Sequence, residues 1–375
     1  MEKWTTAWTM AHTGAAAFAL KIENRTTNVE IHCPISGTKM RIALGNRYGI
    51  APVHISKAVL CVNGKVQQIT FEGSPSVSVD YTQNIRSDEV NLSVCAGDKV
   101  EVRFFYSQPQ VLSSGNVLVH AQHSSDGDHT CDIPFRKSEE SVWLSESRPY
   151  PLPEPVTVLT ALDVYAEDAN AIAVLGDSNT LNNYFTSALQ RFSEMSHTAV
   201  LNLGISGNRL LRDSGVAALS NLFGKSAKER VEWDVFLHQG VDSILICVGG
   251  NDIFQPGTFA APLGELCTAD ELWETTEELA LRCRERGLRV FGSTLIPFAG
   301  ADGYTAQKQC VANAFNEKIR CSNVFDAVID FATLLADPNN PDAYLPEYDS
   351  GDHVHFNALA GECIAKQIKD VYFGH

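Results

Sequence analysis

The stretch Ala171-Ile172-Ala173-Val174-Leu175-Gly176-Asp177-Ser178-Asn179-Thr180 decides the reading of this chain. An apolar run of strand length ends in Gly-Asp-Ser, and a helical pattern begins at about Leu181. Strand, sharp turn and helix in that order put a serine hydroxyl at the carboxyl end of a buried strand, where open α/β sheets hold their active sites. The tripeptide alone reads equally well as a turn with a helix cap, because Asp and Ser side chains both accept from the first N–H groups of a helix. The later segments of the chain tip the balance.

From about Glu167 onward, apolar runs at 172–175, 199–203, 244–248, 288–293 and 324–329 alternate with helical stretches. The clearest helix has Thr268 as N-cap and Glu271 three residues later, a capping box. Leu272, Thr276, Leu279, Ala280 and Cys283 come next at helical spacing, and Gly287 marks its stop. This rhythm predicts an α/β fold, a three-layer doubly wound parallel sheet with helices on both faces. Four segments with chemistry-bearing residues fall just after expected strands or before the last helix: Gly176-Asp177-Ser178, Gly204-Ile205-Ser206-Gly207-Asn208, Gly249-Gly250-Asn251-Asp252 and Asp352-His353-Val354-His355. In a doubly wound sheet all four can converge on one edge.

The first half reads differently. Residues 40–44 and 100–104 alternate, and runs 59–62 and 66–71 flank Asn63-Gly64, a strong hairpin signal. Further runs lie at 53–55, 90–94 and 117–121. Seven or so short strands without a convincing helix predict a β-sandwich. The segment 148–155 carries four prolines and marks a linker, and 156–165 offers one last strand before the first half ends. The expected organisation is a β-sandwich accessory domain over 1–166 and an α/β domain over 167–375.

With 29 Lys plus Arg against 45 Asp plus Glu, the formal charge of this 375-residue chain is −16. An acidic surface repels phosphate backbones and anionic membranes, so neither nucleic acid nor a membrane is expected as a partner. The ten cysteines show no C-x-x-C pair, and several lie in apolar runs, which reads as buried reduced thiols. The first ten residues lack the basic and apolar regions of a secretory signal, so the expected location is cytoplasmic.

The four segments, in this order, resemble the blocks of the SGNH (GDSL-type) hydrolase superfamily, named for Ser, Gly, Asn and His. The phrases GISGNRLL (204–211), NDIFQPGTF (251–259), TLIPF (294–298) and YDSGDHVHFN (348–357) are similar to its xylan-esterase-like branch. Members of that branch also carry an N-terminal β-rich domain with a segment like RIALGNRYGIAP (41–52). Two positions depart from the pattern: Asn179 comes after the serine where an aliphatic residue is commoner, and Phe356 comes after the histidine where Pro is usual.

The resemblance implies a serine esterase that works without metal or organic cofactor. Ser178 is the implied nucleophile, His355 the base and Asp352 the group that orients it, since a serine hydroxyl is a poor nucleophile until a base removes its proton. The backbone N–H groups of Ser178 and Gly207 and the Asn251 amide are the implied donors to the oxyanion, Gly207 being suited to close backbone approach. His353 is the internal competitor for the base. Arg209, Asp234 and Asp330 are read as solvated or structural ion pairs. His120, His123 and His129, near Asp126 and Asp128, match no established metal spacing and are read as a polar loop. The implied substrate is a small-molecule ester, an acetylated oligosaccharide such as a xylan fragment, with homo-oligomerisation left open. The alternatives are a lysophospholipase or thioesterase, a catalytically silent glycan binder, and, more remotely, a metal-dependent hydrolase using Asp352, His353 and His355.

Overall fold

A computed structural model describes residues 2–14, 19–116, 122–136, 157–192, 195, 197–214 and 222–374. The run 117–121, the proline segment 148–155 and His120 lie outside the described residues. The chain divides into two compact units, Met1–Ala169 and Asn170–His375.

The first unit is antiparallel. One sheet orders the strands Glu2–Thr9, Leu159–Glu167, Lys39–Gly45 and Asn84–Arg86; another orders Gln122–Asp126, Arg25–His32, Lys99–Tyr106, Lys57–Val62 and Lys65–Ile69. The Asn63-Gly64 signal is realised as the two-residue turn between Lys57–Val62 and Lys65–Ile69, both residues at positive φ, as a type I′ turn requires. The run 90–94 forms no strand: Val90 and Val94 make single bridges to Met40 and Gly37.

Two strands have little hydrophobic alternation. In Glu2–Thr9 the buried positions include Thr5, Thr6 and Thr9, whose hydroxyls reach Ala169 O, Asp163 Oδ1 and Thr160 O. Arg25–His32 likewise buries Thr26, Thr27 and Asn28. The cysteines also depart from expectation. All ten are free, but Cys95, Cys131, Cys310 and Cys321 are exposed, against four that are buried.

The second unit is a five-stranded parallel sheet ordered Thr198–Gly204, Asn170–Gly176, Val241–Cys247, Arg289–Ser293 and Ala327–Ile329. In chain order this is 2-1-3-4-5, a doubly wound arrangement whose switch point lies beside the first strand. Ile172, Val174, Leu245 and Phe291 share one core with the helices Tyr184–Gln190 and Ala358–Phe373. The alternate positions Ala173, Leu175, Ile244, Ile246 and Val290 are buried too, so neither face of the sheet meets water. Each such Leu, Ile, Val or Phe contributes about 1.5–3 kcal/mol on burial. The helix Ala269–Glu285 has the expected capping box, and its buried residues are the five named from the spacing. Among the described residues, no helix is long and apolar enough to cross a membrane.

The register brings the strand ends level. Gly176 pairs with Gly204 on one side and with Cys247 on the other, so the loops after these strands leave the sheet together. There the ladder ends on a long bond, Ile205 N–H to Gly176 O at 3.3 Å, and the strand-end carbonyls have room for a second donor. Arg230, wholly buried on the helix Ala227–Asp234, supplies it. Its guanidinium donates to Gly176 O at 2.7 Å, Leu203 O at 2.9 Å, Asn208 Oδ1 at 2.9 Å and the Asp234 carboxylate at 2.9 Å. Removing one partner of a buried ion pair typically costs about 3–5 kcal/mol, because the other charge stays buried. Arg230→Met is therefore expected to lower the unfolding free energy of the second unit by about that amount in urea titration. A loss no larger than a surface substitution gives would show that water satisfies these acceptors instead.

Candidate active site

Ser178 lies two residues past the Asn170–Gly176 strand and opens a one-turn helix, Ser178–Leu181. The Asp177 side chain closes this turn by accepting the Asn179 N–H at 3.0 Å. A Cβ at Gly204 would stand 2.2 Å from the Leu181 nitrogen, so the turn that carries Ser178 rests directly on the end of the neighbouring strand.

His355 arrives from the opposite end of the unit, on the loop before the helix Ala358–Phe373. Asp352 organises that loop. Its Oδ1 accepts the Val354 and His355 N–H groups at 2.9 and 2.8 Å, and its Oδ2 meets His355 Nδ1 at 2.6 Å. His355 Nε2 then lies 2.8 Å from Ser178 Oγ. Beside an ionised Asp352 the Nδ1 carries the proton, which leaves Nε2 to accept from the serine hydroxyl. Burial acts to raise the Asp352 pKa. The bonds from the His355 ring and from the two N–H groups outweigh it and bring the carboxyl down to about 2.

His353 is held elsewhere. Its Nδ1 lies 2.5 Å from Asp349 Oδ2, and its φ of +61° is left-handed. On extended backbone it would face the same side as His355; the left-handed turn at this residue removes that relation.

Gly207 has φ +70°, and a Cβ there would meet the Phe223 ring at 2.7 Å, so both backbone and space call for glycine. Its carbonyl accepts from Gln255 Nε2 at 2.7 Å. Asn251, on the short helix Gly250–Phe254, donates through Nδ2 to Asn208 O at 3.0 Å, and the same nitrogen faces Asp177 Oδ2 at 3.4 Å. Burial raises the Asp177 pKa above the ordinary carboxylate value, opposed by the Asn179 N–H and by the positive charge of Arg230. Asp252 accepts the Leu210 and Leu211 N–H groups at 2.6 and 3.0 Å, with Arg209 Nε at 3.6 Å. Its complete burial still pushes it up to about 6.

Asn251, Asp252 and Gln255 thus hang the 204–211 loop on one helix. Asp252, Gln255 and Arg230 were not among the expected site residues. A signal for Gln255 was present, since it lies four positions after Asn251 and so shares its helix face.

Arg209 pairs with Glu265 at 2.6 Å, Asp234 with Arg230, and Asp330 with Arg320 at 2.9 Å. In the first unit, His129 Nδ1 lies 2.7 Å from Asp132 and its Nε2 2.7 Å from Asp126 O. Ser178, Asn179 and Asn251 open on a cavity of about 60 Å³ whose walls include Phe254, Leu295, Phe298, Phe331 and Phe356.

The GDSL-like Lipase/Acylhydrolase family matches residues 168–361. The chain belongs to that family. No curated protein matches this acylhydrolase. Among solved structures, a lipolytic protein of the G-D-S-L family from Desulfitobacterium hafniense is 17% identical, with a TM-score of 0.39, over 54% of this chain and 99% of the other. An acetyl xylan esterase is 19% identical, with a TM-score of 0.38, over 53% and 98%. A variant of an acetyl-xylooligosaccharide esterase from Geobacillus Stearmophilus is 17% identical, with a TM-score of 0.40, over 55% and 96%.

The lowered Asp352 pKa makes a pH prediction for the acylhydrolase. Folding moves this carboxyl from 3.8 to about 2, so its ionised form adds stability that is present above pH 3.8 and lost as the pH falls through about 2. Asp352→Asn lacks that contribution. Its melting temperature is expected to fall less than that of the wild type across this interval, measured by calorimetry on both chains. Equal falls would mean that Asp352 does not hold the bonds from the His355 ring and the two N–H groups in solution.

Proposed function

We propose that this acylhydrolase is a serine esterase that removes short acyl groups, acetyl foremost, from carbohydrates through an acyl-enzyme. The observation that carries the reading is the unbroken hydrogen-bonded series from Asp352 through His355 to Ser178, ending at the small apolar cavity.

Ser178 Oγ attacks the ester carbonyl while His355 Nε2 takes the hydroxyl proton. Asp352 holds the imidazole and stabilises the imidazolium that forms. Negative charge develops on the former carbonyl oxygen, and the N–H groups of Ser178 and Gly207 with the Asn251 amide are the donors for it. The contact from Asn251 Nδ2 to Asp177 is long for a hydrogen bond, so this donor is easily redirected to a nascent oxyanion. His355 returns its proton to the departing alcohol and leaves an ester on Ser178. Water then attacks that ester with His355 again as base, and the acid departs.

The acyl preference rests on size. An apolar cavity of about 150 Å³ takes benzene, whereas this one measures about 60 Å³, the scale of a short acyl group. The carbohydrate part rests on the xylan-esterase-like phrases at 204–211, 251–259, 294–298 and 348–357. The apolar walls favour one competing reading, an acyl hydrolase for longer chains, and chain-length preference separates the two.

Acetylated xylo-oligosaccharides are expected to release acetate with the wild type, and Ser178→Ala to abolish release. Asn251→Ala is expected to lower kcat by about 10²- to 10³-fold, the usual cost of one lost oxyanion donor. On p-nitrophenyl esters, turnover is expected to fall from acetyl to octanoyl. Hydrolysis of p-nitrophenyl acetate without release from any sugar would discard the carbohydrate assignment. A preference for long acyl chains would discard the deacetylase. Failure of an organophosphonate to label Ser178 would leave a silent binder.

A further inference from the structure

We infer that Asn179 is a positioning residue: its side-chain amide acts as a substitute strand that grips the backbone on both sides of His355 and aims the imidazole at Ser178. This rests on the proposed esterase activity.

The loop that carries His355 satisfies its own polar groups almost completely. Asp349 Oδ1 accepts the N–H groups of Gly351 and His353 at 2.8 and 3.1 Å. Asp352 Oδ1 accepts those of Val354 and His355, the Ser350 N–H reaches His355 O at 3.0 Å, and the Asn357 N–H reaches Tyr348 O at 2.9 Å. These bonds give the loop its shape. They do not fix where it stands against the turn that carries Ser178, because every partner lies on the loop or at its two ends.

That tie comes from Asn179. Its Nδ2 donates to Val354 O at 3.1 Å, and its Oδ1 accepts a longer, weaker bond from the Phe356 N–H at 3.4 Å. Along extended backbone the carbonyl of one residue and the N–H two positions later point the same way, and a neighbouring strand normally takes both. Here one amide takes both, and the residue between them is His355. The orientation of the amide is set by its partners, since a carbonyl only accepts and a backbone N–H only donates. Tyr344 OH also reaches Val354 O, at 3.3 Å, but it belongs to a different part of the unit.

Among the described residues, the hydrogen bonds between the nucleophile turn and the histidine loop are these two and the His355–Ser178 bond itself. Asn179 is the residue next to Ser178, so the same turn that presents the nucleophile also sets the register of the base. A misplacement of about 1 Å between such groups costs on the order of 100-fold in rate. A carboxylate at 179 would still accept from Phe356, but it would set an oxygen against Val354 O. An aliphatic chain would make neither bond.

The test compares wild type, Asn179→Leu and the isosteric Asn179→Asp on p-nitrophenyl acetate, propionate and butyrate, with Ser178→Ala as blank and organophosphonate titration to count competent sites. Per competent site, both variants are expected to lose about 10- to 100-fold in kcat, with KM changed by less than about twofold and the same factor for all three esters. Where Asn179→Leu fails to fold, Asn179→Asp carries the comparison, since it keeps the shape of the side chain. Unchanged kcat in the folded variants overturns the inference. So does a loss that appears in KM or grows with acyl length, because Asn179 also lines the cavity and would then be acting as its wall. An inactive wild type brings down the esterase reading with it, whereas an active wild type with indifferent variants brings down this inference alone.

Discussion

One buried guanidinium joins the sheet to the site. Parallel strands end in carbonyls that the ladder no longer satisfies, and a buried, unpaired carbonyl is costly. Arg230 adds a donor at the two strands that matter, to Gly176 O beside the long bond from the Ile205 N–H and to Leu203 O, and uses two more donors on Asn208 and Asp234. Only arginine offers five donors in a rigid fork. Gly176 precedes the turn of Ser178 and Leu203 precedes the loop of Gly207, so one side chain ties two of the four blocks together.

The rest of the site is assembled by similarly divided side chains. Asp352 accepts from its own loop with one oxygen and from His355 with the other. The helix Gly250–Phe254 does the same for the 204–211 loop, with Asn251 on Asn208 O, Asp252 on the Leu210 and Leu211 N–H groups, and Gln255 on Gly207 O. Few of these groups need to move for the proposed chemistry. That is the condition under which fixed dipoles stabilise developing charge better than reorienting water does.

Much of the second unit was legible because its signals are local. A parallel strand buried on both faces is a short apolar run, and 172–175, 199–203, 244–248, 288–293 and 324–329 all became strands within a few residues of those limits. The capping box at Thr268 and the stop at Gly287 are written in adjacent residues. The strands Glu2–Thr9 and Arg25–His32 were harder to read, because threonine and asparagine fill buried positions there and obtain their partners from distant chain. Cys61, in its apolar run, is buried, but Cys310 and Cys321 have polar neighbours in sequence and are exposed on one helix, so the reading does not extend to every cysteine.

For the candidate site, residue types and their order were determined by the sequence: a serine after an apolar strand, a glycine-rich loop, an asparagine opening a helix, and an aspartate three residues before a histidine. These come from chemistry and from the short range of turn and helix signals. Tertiary structure set His355 rather than His353 against Ser178, because the left-handed turn at His353 depends on how its loop closes. It also decided the parts played by Arg230, Asp252, Gln255 and Asn179, whose partners lie mostly far away in the chain. Gly176 is 54 residues from Arg230, and Val354 is 175 residues from Asn179. A hydrogen bond depends on distance in space, and only the folded sheet brings those atoms within about 3 Å.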